Sequence, residues 1–536
     1  MKFAWAALIL STLYVCYFSR LGTLGFAGPD EPRYAWIARA MVETGDWVTP
    51  KLYAKPWFEK PPLFYWGAAL SFKWFGVSEA SARFPSAVSA LLATLALAWL
   101  AARMYGAATA RLVLLMLPTT AGMIGFSHAA ATDMPFTAML TIAMVAAAVV
   151  VGIDHPAQSL PPRAPTVSLV AFGAFLGAAT LAKGPAAIVL AGGGAGLWAL
   201  LTNRWRDAFR LAHPIAIVAF CIAALPWYVL CALRNPDFLR VFILEHNFAR
   251  YLTREFRHVQ PIWFFLPVLL LGMLIWTGTF VGVVKDATRA WREHRWRSSA
   301  GLFPLCWASF TFVFFSLSKS KLPGYILPAI PPLMLLAAYS VSRRLHGEAA
   351  RGRWPAIMTG LTLIAMGGFS IGFMYKIPFA VDYLPPQPLG WVILSVLLGG
   401  LAAIILGVLR RATAALSVCV LCLIVAIPLS VAGDSGWALN AGISARQAGQ
   451  SHSTANTSAY KVSRSFQYAL NFYQHKEVPE WSVNAAQPGW VFTQAGKVDE
   501  LRELGLKCPA YIAYPAVVVC QDPGLPDRLA GGRKIH

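Results

Sequence analysis

Long apolar runs separated by short polar loops dominate the chain up to residue 433. A helix needs about 20 mostly apolar residues to cross the hydrocarbon core of a bilayer. About thirteen stretches meet that length, near residues 4–20, 85–102, 109–127, 134–152, 167–182, 185–201, 214–233, 261–284, 301–317, 323–342, 354–375, 388–409 and 412–432. The expected fold is an α-helical polytopic membrane protein of about 13 transmembrane helices. The first run follows Lys2 and has no small-x-small cleavage site behind it, so it reads as an uncleaved first span.

Two loops break the short-connection pattern. Loop 21–83 holds two amphipathic stretches. Tyr34, Ile37, Met41 and Val42 keep helical spacing, with Arg33, Arg39 and Glu43 elsewhere on the wheel. Leu63 to Phe75 is rich in aromatics and also reads as helix. Such helices lie in the membrane interface or pack on the bundle. The other long loop, 234–259, carries charges of both signs. From residue 434 the pattern changes. Ser463 to Gln474 and Val498 to Leu506 read as helices, Trp490–Phe492 and Tyr511–Cys520 as strands. The expected division is a membrane domain over 1–433 and a small α/β domain over 434–536.

Composition supports the membrane reading. Only 13% of the 536 residues are charged and 57% are hydrophobic, against roughly 25% charged in soluble domains. The net charge of +21 does not point to nucleic acid, because the basic residues gather in alternate short loops: Arg103 and Arg111; Arg204, Arg206 and Arg210; Lys285 to Arg297; Arg343 to Arg353; Arg410 and Arg411. Basic loops stay cytoplasmic. That places the N-terminus inside and puts loop 21–83, loop 234–259 and the tail outside. Six of the eight cysteines lie in or near apolar runs. Cys508 and Cys520 lie in the tail, where a bridge and two free thiols are both open.

Charges at the external mouths are the candidate chemistry. Asp30 and Glu31 follow the first span, and Asp133 opens the fourth. Each aspartate reads either as a helix cap or as a carboxylate placed by a reacting sugar. Lys60, Lys183, Arg250, Lys319 and Lys321 converge on the same face. Several cations on one face suit a bound phosphate and would stabilise charge developing on it as a leaving group. No pair of histidines has zinc-ligand spacing.

Asp30-Glu31-x-Arg33-Tyr34, Phe58-Glu59-Lys60-Pro61, Lys183-Gly184, Glu245-His246 with Arg250, and Lys319-x-Lys321-Leu322-Pro323-x-Tyr325 together resemble the aminoarabinose transferases of Gram-negative bacteria. These are GT-C-type membrane glycosyltransferases related to the protein O-mannosyltransferases. The resemblance implies an inverting transfer of a sugar, 4-amino-4-deoxy-L-arabinose, from undecaprenyl phosphate to a lipid A phosphate. The implied setting is the periplasmic face of the bacterial inner membrane, and the protein is expected to be a monomer. Asp30 and Asp133, with Glu31, would be the catalytic carboxylates. Lys60, Arg250, Tyr325 and Lys321 would hold the donor phosphate, while Arg33, Tyr34, Lys183 and Lys319 would line the cavity. No cofactor is required, although Glu59 and His246 are candidate ligands for Zn or Mg. Transfer of another polyprenyl-linked sugar to glycan or protein is the competing enzymatic reading. A lipid-linked-sugar flippase is the non-enzymatic one, which the external rather than mid-membrane position of the charges disfavours.

Overall fold

The computed structural model describes residues 2–153, 165–242, 245, 260–345, 353–376, 386–452, 455–484, 487–509 and 517–524. Helix α1 (Lys2–Tyr17) leads into a loop that folds on itself. This loop contains α2 (Asp30–Thr44), the small hairpin β1 (Lys51–Leu52) with β2 (Lys55–Pro56), and α3 (Leu63–Phe75). Both amphipathic stretches are helices. α2 buries Tyr34, Ile37 and Met41, the positions its spacing singled out.

The bundle continues through α4 (Glu79–Tyr105), α5 (Ala107–Met116), α6 (Ala121–Ser127), α7 (Asp133–Val150), α8 (Thr166–Lys183), α9 (Ala186–Thr202), the short α10 (Trp205–Phe209) and α11 (Pro214–Arg234). Among the described residues, eight helices are long and apolar enough to cross a membrane, or up to ten if two bent pairs each count as one. Three shorter apolar helices, Phe3–Tyr17, Ala186–Thr202 and Leu302–Leu317, accompany them. Of the about thirteen spans expected, eight to ten are thus found as candidate spans among the described residues.

The bent pairs fall where single spans 109–127 and 261–284 were expected. α5 and α6 meet at 61°. Pro118 stands at that break and offers no amide to continue the ladder. Thr119 turns its hydroxyl back onto the Leu115 carbonyl at 2.6 Å, and Thr120 accepts from the Met123 amide, so a new helix starts. The second pair, Phe265–Gly272 and Leu274–Arg292, bends by 98° through a 3₁₀ stretch at Leu274–Thr279.

The tail forms a three-stranded mixed sheet, β3 (Thr457–Ala459), β4 (Gly489–Thr493) and β5 (Val518–Asp522). β4 pairs parallel with β3 and antiparallel with β5. The expected helices appear as Arg464–Gln474 and Val498–Glu503. β3 was not expected, and residues 511–516 of the expected last strand lie outside the described residues. Cys508 and Cys520 are joined in a disulfide. The tail is not detached from the loop. Phe26, Tyr34, Met41 and Tyr65 of the loop share one buried apolar cluster with Ala469, Leu470, Phe472 and Tyr473 of the tail.

Candidate active site

Asp30 and Asp133 each stand at the first position of a helix, and neither acts as a side-chain cap. The N-cap positions belong to Pro29 and Thr132, and no side-chain cap hydrogen bond forms at either. The cap readings of both aspartates are thereby overturned. Helix N-termini still favour their negative charge through the backbone dipole, and the carboxylates are left for other partners.

Asp30 is half-buried and takes a hydrogen bond from Arg33 Nη2 at 2.5 Å. The other end of the same guanidinium, Nη1, pairs with Glu59 Oε2 at 3.0 Å. Arg33 therefore bridges the two motifs that the sequence separates. Its own side chain is only 7% exposed, because aromatics surround it. Tyr34, Trp57 and Tyr468 rings lie 5.2, 5.3 and 5.7 Å from the guanidinium carbon. Tyr468 comes from the tail, so the tail reaches the site. Tyr34 itself is buried beneath, with its ring centroid 5.6 Å from that of Tyr65. It packs the floor.

Burial raises the pKa of Asp30 above its ordinary value. Arg33 and Lys60 oppose the shift, while the neighbouring charges of Glu59 and Asp133 add to it. Lys60 and Asp133 therefore lie near enough for their charges to act on Asp30.

Asp133 pairs with Lys183 Nζ at 2.5 Å. Lys183 is the last residue of α8, and Gly184 ends that helix with φ 95°, a conformation that favours glycine. The ammonium also sits 4.5 Å from the Tyr325 ring centroid and 5.4 Å from that of Phe136. Gly324, just before Tyr325, presses its backbone against this pair. A Cβ there would fall 2.6 Å from Asp133 Oδ1 and 2.8 Å from Phe126 Cε1. No side chain fits that approach.

Glu31 does not join this group. Arg83 grips its two oxygens through Nε and Nη2, both at 2.8 Å. The amides of Ala27 and Ala130 donate to the same carboxylate at 2.9 and 2.8 Å. With its acceptor sites filled inside the protein, Glu31 ties α2 to α4 and to the turn before α7. Lys321 is likewise committed. Its ammonium donates to the carbonyls of Ser318 at 2.5 Å and Gln260 at 3.1 Å, and burial lowers its pKa. Lys319 beside it is exposed. His246 and Arg250 lie outside the described residues. Glu59 spends an oxygen on Arg33, and among the described residues no three His, Cys, Asp or Glu side chains gather as a metal would require. The other candidate ligand, His246, lies outside the described residues.

Sequence reasoning missed Arg83, Trp57, Gly324 and Tyr468. Arg83 had a signal. It sits with Glu79 at the head of a 27-residue helix otherwise poor in charge, and charges in such helices are costly unless paired. The others depend on tertiary contacts that no local pattern announces.

Residues 4–242 match the model of the dolichyl-phosphate-mannose-protein mannosyltransferase family. An undecaprenyl phosphate-α-4-amino-4-deoxy-L-arabinose arabinosyl transferase of Edwardsiella ictaluri is 30% identical over 380 residues, 70% of this chain and 66% of that protein. Its counterpart in Pseudomonas aeruginosa is 31% identical over 367 residues, 68% of this chain and 65% of that protein. The chain belongs to the aminoarabinose transferase-like family. Its matched part spans just under two-thirds of the length of these relatives. The fold agrees over the full length. The crystal structure of ArnT from Cupriavidus metallidurans bound to undecaprenyl phosphate superposes with a TM-score of 0.78 at 24% identity, covering 100% of both chains. In this family setting, the Asp30–Arg33–Glu59 bridge and the Asp133–Lys183–Tyr325 group are the charged furniture of one mouth.

Proposed function

We propose that the protein is a glycosyltransferase that moves 4-amino-4-deoxy-L-arabinose from undecaprenyl phosphate to a phosphate of lipid A. The observation that carries this reading is the convergence of two carboxylates from helix starts 103 residues apart with separate cations, Asp30 with Arg33 and Lys60, and Asp133 with Lys183. A reaction that leaves a phosphate and passes through a positively charged sugar needs both signs of charge in one place. The relatives' names supply the sugar and the carrier lipid.

In this reading an acceptor phosphate oxygen attacks the anomeric carbon from the side opposite the donor. A new C–O bond forms while the bond from that carbon to the undecaprenyl phosphate oxygen breaks. The electron pair departs with the phosphate, which Lys60, Arg250 and Tyr325 hold. The acceptor is already anionic, so Asp30 is not needed as a base. It orients the acceptor or the donor amine and, with Asp133, stabilises positive charge on the sugar. Arg33 Nε is buried and has no hydrogen-bond partner among the described residues. Lys183 and Tyr325 set the position of Asp133, while Glu31 and Lys321 hold the backbone around the site.

The finer arrangement follows the same reading. Residues 1–433 form the transferase body of about thirteen spans, and the three shorter apolar helices complete that number. The N-terminus is cytoplasmic in the bacterial inner membrane. Residues 434–536 sit on the periplasmic mouth. Mass spectrometry of lipid A tests the function in cells lacking their own aminoarabinose transferase but supplied with the donor lipid. Expression should add the aminoarabinose mass to lipid A phosphates. Unmodified lipid A with a modified glycan or protein would replace this acceptor with another.

A further inference from the structure

The turn that follows α1 frames a second cavity, of about 570 Å³, which the proposed reaction does not use. Phe18, Phe75 and Phe84 line it, and Arg20 stands among them together with Ser78 and Ser81. The Phe75 and Phe84 rings meet at 5.4 Å and those of Phe18 and Phe84 at 6.1 Å, so the aromatics form a continuous apolar wall.

Its level in the fold is the edge of the bundle. α1 ends at Tyr17 and α4 begins at Glu79, one on each side. Beside it the end of α3 leaves Trp74, Phe75 and Val77 70%, 62% and 45% exposed. Exposed large aromatics on an amphipathic helix beside the ends of spans suit the lipid interface.

Arg20 is the unusual member. It is exposed, holds a left-handed φ of 62°, and pairs with no carboxylate among the described residues. Glu79, at the adjacent head of α4, is buried and engaged, accepting from Tyr473 at 2.7 Å and pairing with Arg446 at 3.2 Å. A guanidinium without an acid partner, set against an aromatic trough at a membrane edge, is complementary to a ligand with an anionic head and a hydrocarbon tail.

We propose that this cavity binds one anionic phospholipid, its phosphate on Arg20 and one acyl chain against Phe75 and Phe84. The bound lipid braces a turn that already serves the active site. Arg83 Nη1 donates to the carbonyls of Leu21 and Leu24 at 2.8 and 2.6 Å, and Arg446 Nη1 donates to that of Gly22 at 3.0 Å. The same Arg83 holds Glu31, the neighbour of Asp30. The lipid therefore supports from the membrane side what two arginines support from within.

Native mass spectrometry of the purified full-length protein in detergent tests this, titrating phosphatidylglycerol and phosphatidylcholine of equal chain length. One phosphatidylglycerol should be retained in preference to phosphatidylcholine. Arg20→Gln should weaken that retention about fivefold, the weight of a single basic residue near an anionic surface. Arg20→Lys should keep most of it. Ala80→Trp, which fills the cavity while leaving Arg20 in place, should also lower retention, with thermal unfolding in detergent showing that the variant remains folded. Equal retention of the two lipids, or an Arg20→Gln protein that binds phosphatidylglycerol like the parent, would overturn the proposal. Neither readout depends on which sugar is transferred.

Discussion

Asp30 is held by one arginine that also holds Glu59, so its charge and its direction are set together. Replacing it with asparagine keeps the shape and removes the charge. Turnover should fall by a factor of about 10² or more, the scale of losing one preorganised electrostatic group, with the unfolding temperature little changed. Its raised pKa gives the pH dependence a sign. The ionised form is the active one, so activity should fall as pH drops through a midpoint above the ordinary carboxylate value. In Asp30→Asn the residual activity should lose that limb. Gly324 offers a second test at this scale. A methyl group there would collide with Asp133 and Phe126, at a cost of about 1–3 kcal/mol for overpacking. Gly324→Ala should lower turnover more than tenfold while the protein still elutes as a folded species. Near-normal turnover would show that Asp133 has room to move.

At the level of elements, the Arg83–Glu31 pair fastens α4 to the start of α2. Both side chains are buried, and Glu31 receives four hydrogen bonds. Removing one partner strands a buried charge, which costs about 3–5 kcal/mol. Arg83→Met should therefore lower the unfolding temperature in detergent markedly, and the double change Arg83→Met with Glu31→Leu should recover part of the loss. Equal destabilisation in both would mean that the amides of Ala27 and Ala130, rather than the pair, carry the joint. Most helices were legible because lipid leaves little choice. Unpaired backbone groups are not tolerated, so apolar runs become helices, and α2 and α3 followed from spacing alone. The bends at Thr120 and Gly272 were not legible. The first comes from Pro118 and the Thr120 cap and the second from a 3₁₀ stretch, inside runs whose hydropathy is unbroken. The roles of Asp30 and Asp133 could be narrowed to cap or chemistry by sequence, but only the position of each helix start, one residue earlier at Pro29 and Thr132, decided against the cap.

On the scale of the whole molecule, the tail, the first loop and the bundle meet at one mouth. Tyr473 is the seam. Its hydroxyl donates to Glu79 at 2.7 Å and accepts from the Phe26 amide at 2.9 Å. Tyr473→Phe should cost about 1–3 kcal/mol, because it leaves a buried amide and a buried carboxylate short of a partner, and thermal unfolding would read this directly. The charge pattern announced which loops share a side, yet not that Tyr468 would cover Arg33, since contacts over such sequence distances leave no local trace. In the proposed reaction this mouth transfers a sugar rather than conducting a lipid. The most direct measurement reconstitutes the purified protein in vesicles with undecaprenyl phosphate-aminoarabinose and lipid A, then follows both lipids by mass spectrometry. Aminoarabinose on lipid A and free undecaprenyl phosphate should appear in equal amounts, and both should fall steeply with Asp30→Asn or Asp133→Asn. Donor lipid crossing the vesicle membrane with its sugar still attached, and no modified lipid A, would contradict it.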